Sequence, residues 1–180
     1  MLFRSFTLYF ISQYRRVQVK RNGGFRYLSP ERIVFLFGIA LIFAPRTHIS
    51  FLALTFHHSK GLAIAGLCLT IAGLAFAAWA RDVLGRYWSG RVIIQSSHEL
   101  VTAGPYAYVR HPLYTGLLIA IFGTVLISSE LGSIMGLPLA IGFFMLKAQR
   151  EERILEAEFG AIYANYRAHT GGLLPRFAHV

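Results

Sequence analysis

Nineteen consecutive residues, Leu62 to Ala80, contain no charged side chain. As a helix this run is ~28 Å long at 1.5 Å per residue, close to the ~30 Å hydrocarbon thickness of a bilayer. In lipid every backbone N–H and C=O must be paired within the protein, so such a run is helical. Three further runs repeat the pattern: Ile33 to Ala44, Leu113 to Ile127 and Leu131 to Leu146. The last two are separated only by Ser128-Ser129-Glu130 and predict a tight helical hairpin. The first is short, ~18 Å as a helix, so it must draw on its flanks or bend near Pro45. Ile49 to Phe56 is apolar but shorter still. Gly66, Gly73, Gly123, Gly132, Gly136 and Gly142 fall inside these runs, where small residues let helices approach closely, and Pro138 predicts some kinking.

Composition agrees with a membrane chain. Hydrophobic residues make up 55% and charged residues 14%, a balance beyond that of ordinary globular domains. The formal charge of +10 would suggest nucleic acid in a soluble chain. Beside apolar spans it fits anionic lipid and topology instead. Lys and Arg sort sharply: 7 in residues 1–32, 4 in 81–112 and 5 in 147–180, against only Arg46 and Lys60 elsewhere. Because cytoplasmic loops carry the Lys/Arg excess, four spans with both termini and the 81–112 loop inside are expected. The lone Cys68 offers neither a disulfide framework nor a cysteine metal site, and no metal is expected. The fold class is therefore all-α and integral to the membrane. About four transmembrane helices are accompanied by an N-terminal interfacial helix within residues 1–32 and a C-terminal amphipathic helix, all in one domain of residues 1–180. The interfacial helix rests on the stripe Phe3, Phe6, Tyr9 and Phe10 followed by Arg15, Arg16, Lys20 and Arg21. Ser29-Pro30-Glu31 reads as a helix start, and Val92-Ile93-Ile94 as a short extended piece.

Two polar stretches fall on the same predicted face of the membrane. His98 to Gly116 is punctuated by Gly104-Pro105 and Pro112 and holds Arg110, His111 and three tyrosines. Composition leaves two readings open: a juxtamembrane anchor, with Arg on headgroups and Tyr at the interface, or a site. The second stretch begins at Lys147 and carries Glu151-Glu152. Beyond them Ile154, Leu155, Phe159, Ile162, Tyr163 and Tyr166 form one helical stripe ending at Gly171-Gly172. A charge run is ordinarily a solvated face, with Lys147 and Glu151 as an i,i+4 pair. So close to a membrane exit, however, an acidic pair is costly without a cation, and a cationic ligand would answer that need.

The order His98-x-Leu100-Val101-Thr102-x-Gly104-x-Tyr106, then Arg110-His111-Pro112-x-Tyr114-x-Gly116, then after a hairpin Glu151-Glu152, Phe159-Gly160, Tyr163 and Tyr166, resembles the isoprenylcysteine carboxyl methyltransferases and the related bacterial and phospholipid methyltransferases. Leu84-Gly85-Arg86-Tyr87-Trp88-Ser89 extends the resemblance, which covers about residues 79–175, the expected cofactor-binding catalytic part. It implies a membrane enzyme that uses S-adenosyl-L-methionine without a Rossmann domain. By that resemblance the cofactor falls to His98, Glu99, Leu100, Val101, Tyr106, His111, Pro112, Leu113, Tyr114, Glu151 and Glu152, with Gln95 as a further candidate. Lys147 stands where the isoprenylcysteine enzymes have the Arg that faces the substrate carboxylate, and Leu113 where they often have Ser.

The residue chemistry runs the same way. Paired carboxylates suit a ligand with a sulfonium and an ammonium. Methyl transfer is an in-line displacement, so the protein mainly positions the reactants. A carboxylate acceptor is already ionised and needs no base, whereas an amine needs one, and Glu151 is the candidate. Arg110, Lys147 and Glu151 are thus the expected catalytic residues, the two cations orienting an anionic, lipid-attached or amphiphilic acceptor. The expected partners are membrane lipid and that acceptor, not nucleic acid. The competing readings are a phospholipid N-methyltransferase, a sterol-type reductase and a small membrane scaffold.

Overall fold

A computed structural model describes residues 19–22, 30–43, 54, 59–85, 93–95 and 100–176. Five helices dominate the described residues: α1 (Pro30–Phe43), α2 (Lys60–Leu84), α3 (Pro112–Ser128), α4 (Leu131–Phe159) and α5 (Ala161–His169). Two short strands, β1 (Val19–Asn22) and β2 (Ile93–Gln95), pair antiparallel. Of the expected extended piece at Val92-Ile93-Ile94, Ile93 and Ile94 lie in β2, and Val92 lies outside the described residues. Lys20 and Arg21, read as the end of an interfacial helix, lie in β1 instead; the rest of that predicted helix lies outside the described residues.

Local signals set the helix ends. α1 starts at Pro30, whose missing N–H leaves no bond unmade in a first turn. Ser59 caps α2, its Oγ accepting from the Leu62 N–H at 3.1 Å. Gly85 closes that helix at φ 51°, a backbone region that an L side chain rarely adopts. Ser129, the one described non-glycine residue with positive φ, makes the sharp turn from α3 into α4.

Length separates the helices. α2 and α4, of 25 and 29 residues, are long and apolar enough to cross a membrane. α3, at 17 residues, and α1, at 14, are shorter. At 1.5 Å per residue α4 extends ~43 Å, well beyond a ~30 Å core, so its polar end carries Glu151 and Glu152 out of the apolar layer. α4 runs through Pro138 as one helix.

The packing is that of helices in lipid. Gly66, Gly73, Ala77 and Ala80 are the buried residues of α2, while Ile64, Leu67, Ile71 and Leu74 on its other side are each more than half exposed. Between lipid-soluble helices the gain comes from close backbone packing rather than from expelling water. α2 and α3 accordingly meet through glycine. A Cβ on Gly66 would lie 2.6 Å from the Gly123 carbonyl oxygen, and one on Gly73 2.6 Å from that of Gly116. α1 and α4 meet in the same way at Gly38 and Gly136. Gly142, expected to pack, would have nothing among the described residues within 4 Å of an added methyl group. Although α3 and α4 are joined by a two-residue turn, their most extensive contacts are with α2 and α1 respectively. Tyr114, Ile121, Val125, Ala140, Phe144 and Ala148 fill the core between these pairs.

Both pairs are antiparallel, so the starts of α1 and α3 and the ends of α2 and α4 lie at one end of the bundle. The Glu31–Arg150 ion pair and the Leu131 N–H bonded to the Leu54 carbonyl at 3.0 Å mark opposite ends.

Candidate active site

The polar loop before α3 is built by its turn residues. Gly104 takes φ 59° and leads into a 3₁₀ turn, Gly104–Ala107, in which Pro105 and Tyr106 are buried. Val109 then forms a parallel bridge with Gly171. His111 occupies the cap position of α3 and Pro112 its first turn. The His111 side chain does not cap the helix; it turns towards α4.

There the two adjacent glutamates part company. Glu152 is the more heavily engaged: its Oε1 accepts from Arg110 Nε at 2.9 Å, from Arg110 Nη2 at 2.8 Å and faces His111 Nε2 at 3.1 Å. Arg167 Nε lies 3.7 Å from its other oxygen. Among the described residues Glu151 holds one hydrogen bond, from the Tyr114 hydroxyl at 2.5 Å to Oε1. Its Oε2 lies 3.6 Å from His111 Nδ1, an ion-pair distance too long for a hydrogen bond. A carboxylate offers about four acceptor positions, so Glu151 keeps capacity for a ligand. Its side chain is 21% exposed against 13% for Glu152.

His111 sits between the two carboxylates, buried and stacked on Tyr114 with ring centroids 5.6 Å apart. Burial pushes its pKa down, but the two glutamates outweigh it, and the net shift is upward from 6.5. With a carboxylate facing each ring nitrogen, the imidazolium is the favoured form. Burial, then Tyr166 and Glu151, also drive the Tyr106 hydroxyl well above its ordinary pKa.

Lys147 does not pair with Glu151, as an ordinary solvated face with an i,i+4 pair would require. Its ammonium lies over the Tyr114 ring, 4.9 Å from the centroid. Arg110 is also placed differently from expectation. Instead of reaching outward to an acceptor, its guanidinium is engaged with Glu152 and with the carbonyls of Arg167 and Thr170. The single C-terminal amphipathic helix is two: Gly160, at φ 52°, breaks it into the end of α4 and α5. Within the predicted stripe Tyr163 is fully buried, whereas Ile162 is 67% exposed.

Of the other sequence-derived candidates, Leu100, Val101 and Leu113 are half-buried, and Pro112, Tyr106 and Tyr114 are buried. Gln95 lies in β2; His98 and Glu99 lie outside the described residues. Sequence reasoning missed the segment after α5. Gly171 and Gly172 accept hydrogen bonds from the backbone N–H groups of Arg110 and His111 at 2.8 and 3.2 Å, and Leu173 accepts from Thr115 Oγ1 at 2.7 Å. The Gly-Gly pair was legible only as a helix stop.

Fold and site together define a helical membrane protein whose polar centre is an Arg-His-Pro-x-Tyr helix start laid against a glutamate pair at the end of a long span. The chain belongs to the isoprenylcysteine carboxyl methyltransferase family, whose family model matches residues 65–157. It is 30% identical over 141 residues to a probable protein-S-isoprenylcysteine O-methyltransferase of Oryza sativa subsp. indica, covering 74% of this chain and 73% of the rice protein. It is 33% identical over 131 residues to the cobalt-zinc-cadmium resistance protein CzcN of Cupriavidus metallidurans, covering 70% of this chain and 58% of that protein. The fold is similar to the solved structure of the eukaryotic intramembrane Ras methyltransferase, an isoprenylcysteine carboxyl methyltransferase. That match has a TM-score of 0.59 and 26% identity, over 84% of this chain and 54% of the other. The chain thus spans little more than half the length of two of these relatives.

Proposed function

We propose that this chain is a membrane methyltransferase that uses S-adenosyl-L-methionine to methylate the carboxylate of an isoprenylcysteine-like or other amphiphilic acceptor. The observation that carries the reading is Glu151: a carboxylate held in place by Tyr114 and His111, partly exposed, with acceptor positions unfilled among the described residues. This donor set fits a ligand bearing an ammonium and a sulfonium. When bound, S-adenosylmethionine supplies an electrophilic methyl group. Glu151 is the counter-charge for its cationic end, with Tyr106 near that carboxylate and Pro112 directly after His111; Leu100 and Val101 are assigned to the cofactor by family resemblance. His98, Glu99 and Gln95 join this set by family resemblance, and Leu113 by its position beside Pro112.

Lys147 lies over the ring of Tyr114, whose hydroxyl donates to Glu151. It favours an anionic acceptor over an amine, since a carboxylate approaching the site is attracted and an ammonium repelled. An ionised carboxylate is itself the nucleophile, so these residues orient and exclude water rather than move a proton. Most of the Lys and Arg among the described residues lie at the site end of the bundle, which supports four spans with both termini and the active site on the cytoplasmic face. Membrane lipid and a lipid-attached acceptor are the expected partners.

The test is titration of the purified protein in nanodiscs with S-adenosylhomocysteine, followed by labelled methyl transfer to an isoprenylcysteine analogue and to a phospholipid amine. Saturable binding with ester formation is expected. Label in the lipid amine would move the reading to N-methylation, and absence of binding would leave a membrane scaffold.

A further inference from the structure

We propose that Arg110 is a positioning residue: it clamps the strap Thr170–Leu173 to Glu152 and through that clamp sets the orientation of His111 and Glu151. A guanidinium has five N–H donors in a fixed plane. Nε and Nη2 go to Glu152 Oε1, and Nη1 reaches the carbonyls of Thr170 and, at 3.3 Å, Arg167. This fork therefore joins three parts of the chain, the loop before α3, the end of α4 and the segment after α5. The side chain is only 12% exposed.

The strap is fastened at each of its next residues as well. Gly171 and Gly172 receive the backbone N–H groups of Arg110 and His111, and Leu173 receives the Thr115 hydroxyl. A side chain at Gly171 would collide with the Leu174 carbonyl oxygen, while one at Gly172 would make only ordinary contact with Arg110 Nη2, at 3.5 Å. Thr170 is buried, as is Tyr163 about two helix turns before it. The strap therefore holds both ends of the Arg110-His111 dipeptide, by its backbone and by its fork. The consequence reaches Glu151 through His111, which shares Glu152 with Arg110 on one ring nitrogen and faces Glu151 with the other. Without Arg110, Glu152 retains His111 as its close partner and draws the ring away from Glu151.

This role rests on Glu151 as the cofactor's counter-charge, and the experiment separates the two ideas. Hydrogen exchange is measured on the full chain in nanodiscs for wild type, Arg110→Gln, Arg110→Lys and Gly171→Ala, with Arg176→Gln as a control on the same tail. The amides of Arg110 and His111 should exchange at least about tenfold faster in Arg110→Gln and Gly171→Ala. S-adenosylhomocysteine should bind roughly tenfold more weakly in both, as for loss of a charge-assisted contact, while the acceptor KM stays within about twofold. Arg110→Lys, a point charge that cannot bridge Glu152 and the Thr170 carbonyl together, should recover only part of either effect. Arg176→Gln should change neither. Unaltered exchange in Arg110→Gln with a raised acceptor KM would overturn the clamp and return Arg110 to the acceptor, as would equal loosening in Arg176→Gln. If wild type binds no S-adenosylhomocysteine, the methyltransferase reading fails, and the exchange comparison alone decides the clamp.

Discussion

Replacing Gly116 by alanine tests whether the α2–α3 contact sets the geometry of the site. Gly116 lies half a turn beyond Tyr114 on α3. A Cβ there would lie 2.6 Å from the Gly73 carbonyl oxygen, 2.7 Å from the Ala77 nitrogen and 2.9 Å from the Ala77 Cβ. Two of these atoms are backbone, so no rotamer change relieves them; the helices must separate by several tenths of an ångström. Overpacking of this kind costs about 1–3 kcal/mol, while helix propensity favours alanine over glycine by about 1 kcal/mol. Gly142→Ala gains the propensity without the clash, since nothing among the described residues lies within 4 Å of its added methyl group. The difference between the two variants isolates the overpacking at about 1–3 kcal/mol, or roughly 2–12 °C in unfolding midpoint for a chain of this size. Thermal unfolding of both variants in one detergent measures it. Because α3 carries His111 and Tyr114 at its start, Gly116→Ala should also weaken S-adenosylhomocysteine binding, while Gly142→Ala should not. Equal midpoints for the two variants would refute the close α2–α3 contact.

Glu151→Gln should weaken cofactor binding by about 1.5–3 kcal/mol, roughly tenfold or more in affinity. Glu156→Gln, half-exposed beside Arg167, should do little; equal affinities by titration would return Glu151 to a solvated face. Lys147→Ala should raise the acceptor KM and leave cofactor affinity unchanged, and Lys147→Arg should retain activity; a loss confined to cofactor affinity would make Lys147 a support for Tyr114. The folded pKa of His111 is raised above 6.5. Its contribution to stability is therefore complete below that pH and lost as pH rises through the folded value. Unfolding midpoints should fall more for wild type than for His111→Gln between about pH 6 and pH 9, and parallel curves would contradict the ion pairs with Glu151 and Glu152. In a Cys68→Ser background, cysteines at Thr102 and Ala168 should label from one side of the membrane and one at Lys60 from the other; labelling of all three from one side would sink the four-span topology.

The sequence by itself determined the class of fold. Uncharged runs such as Leu62–Ala80 leave the backbone no option in lipid but a helix. Glycines within those runs marked most of the close crossings, at Gly66, Gly73, Gly123 and Gly136, because packing without a side chain needs no further context. The ordered motif from His98 to Tyr166 was sufficient to place the chain in its family. What it could not resolve was the division of labour within the motif. Glu151 and Glu152 are neighbours of identical chemistry, and only their ~100° separation around α4 gives one Tyr114 and the other Arg110. Arg110 and Glu152 are 42 positions apart and Arg110 and Thr170 60 apart, so neither spacing nor periodicity links them. Lys147 and Glu151 had the spacing of an ion pair, but the Tyr114 ring, brought in from α3, took the ammonium instead. The break at Gly160 was hidden because the apolar stripe continues across it; a positive φ there redirects α5, burying Tyr163 and exposing Ile162. Partner choice among equivalent charges is settled by distance, and distances between remote segments exist only once the helices have packed.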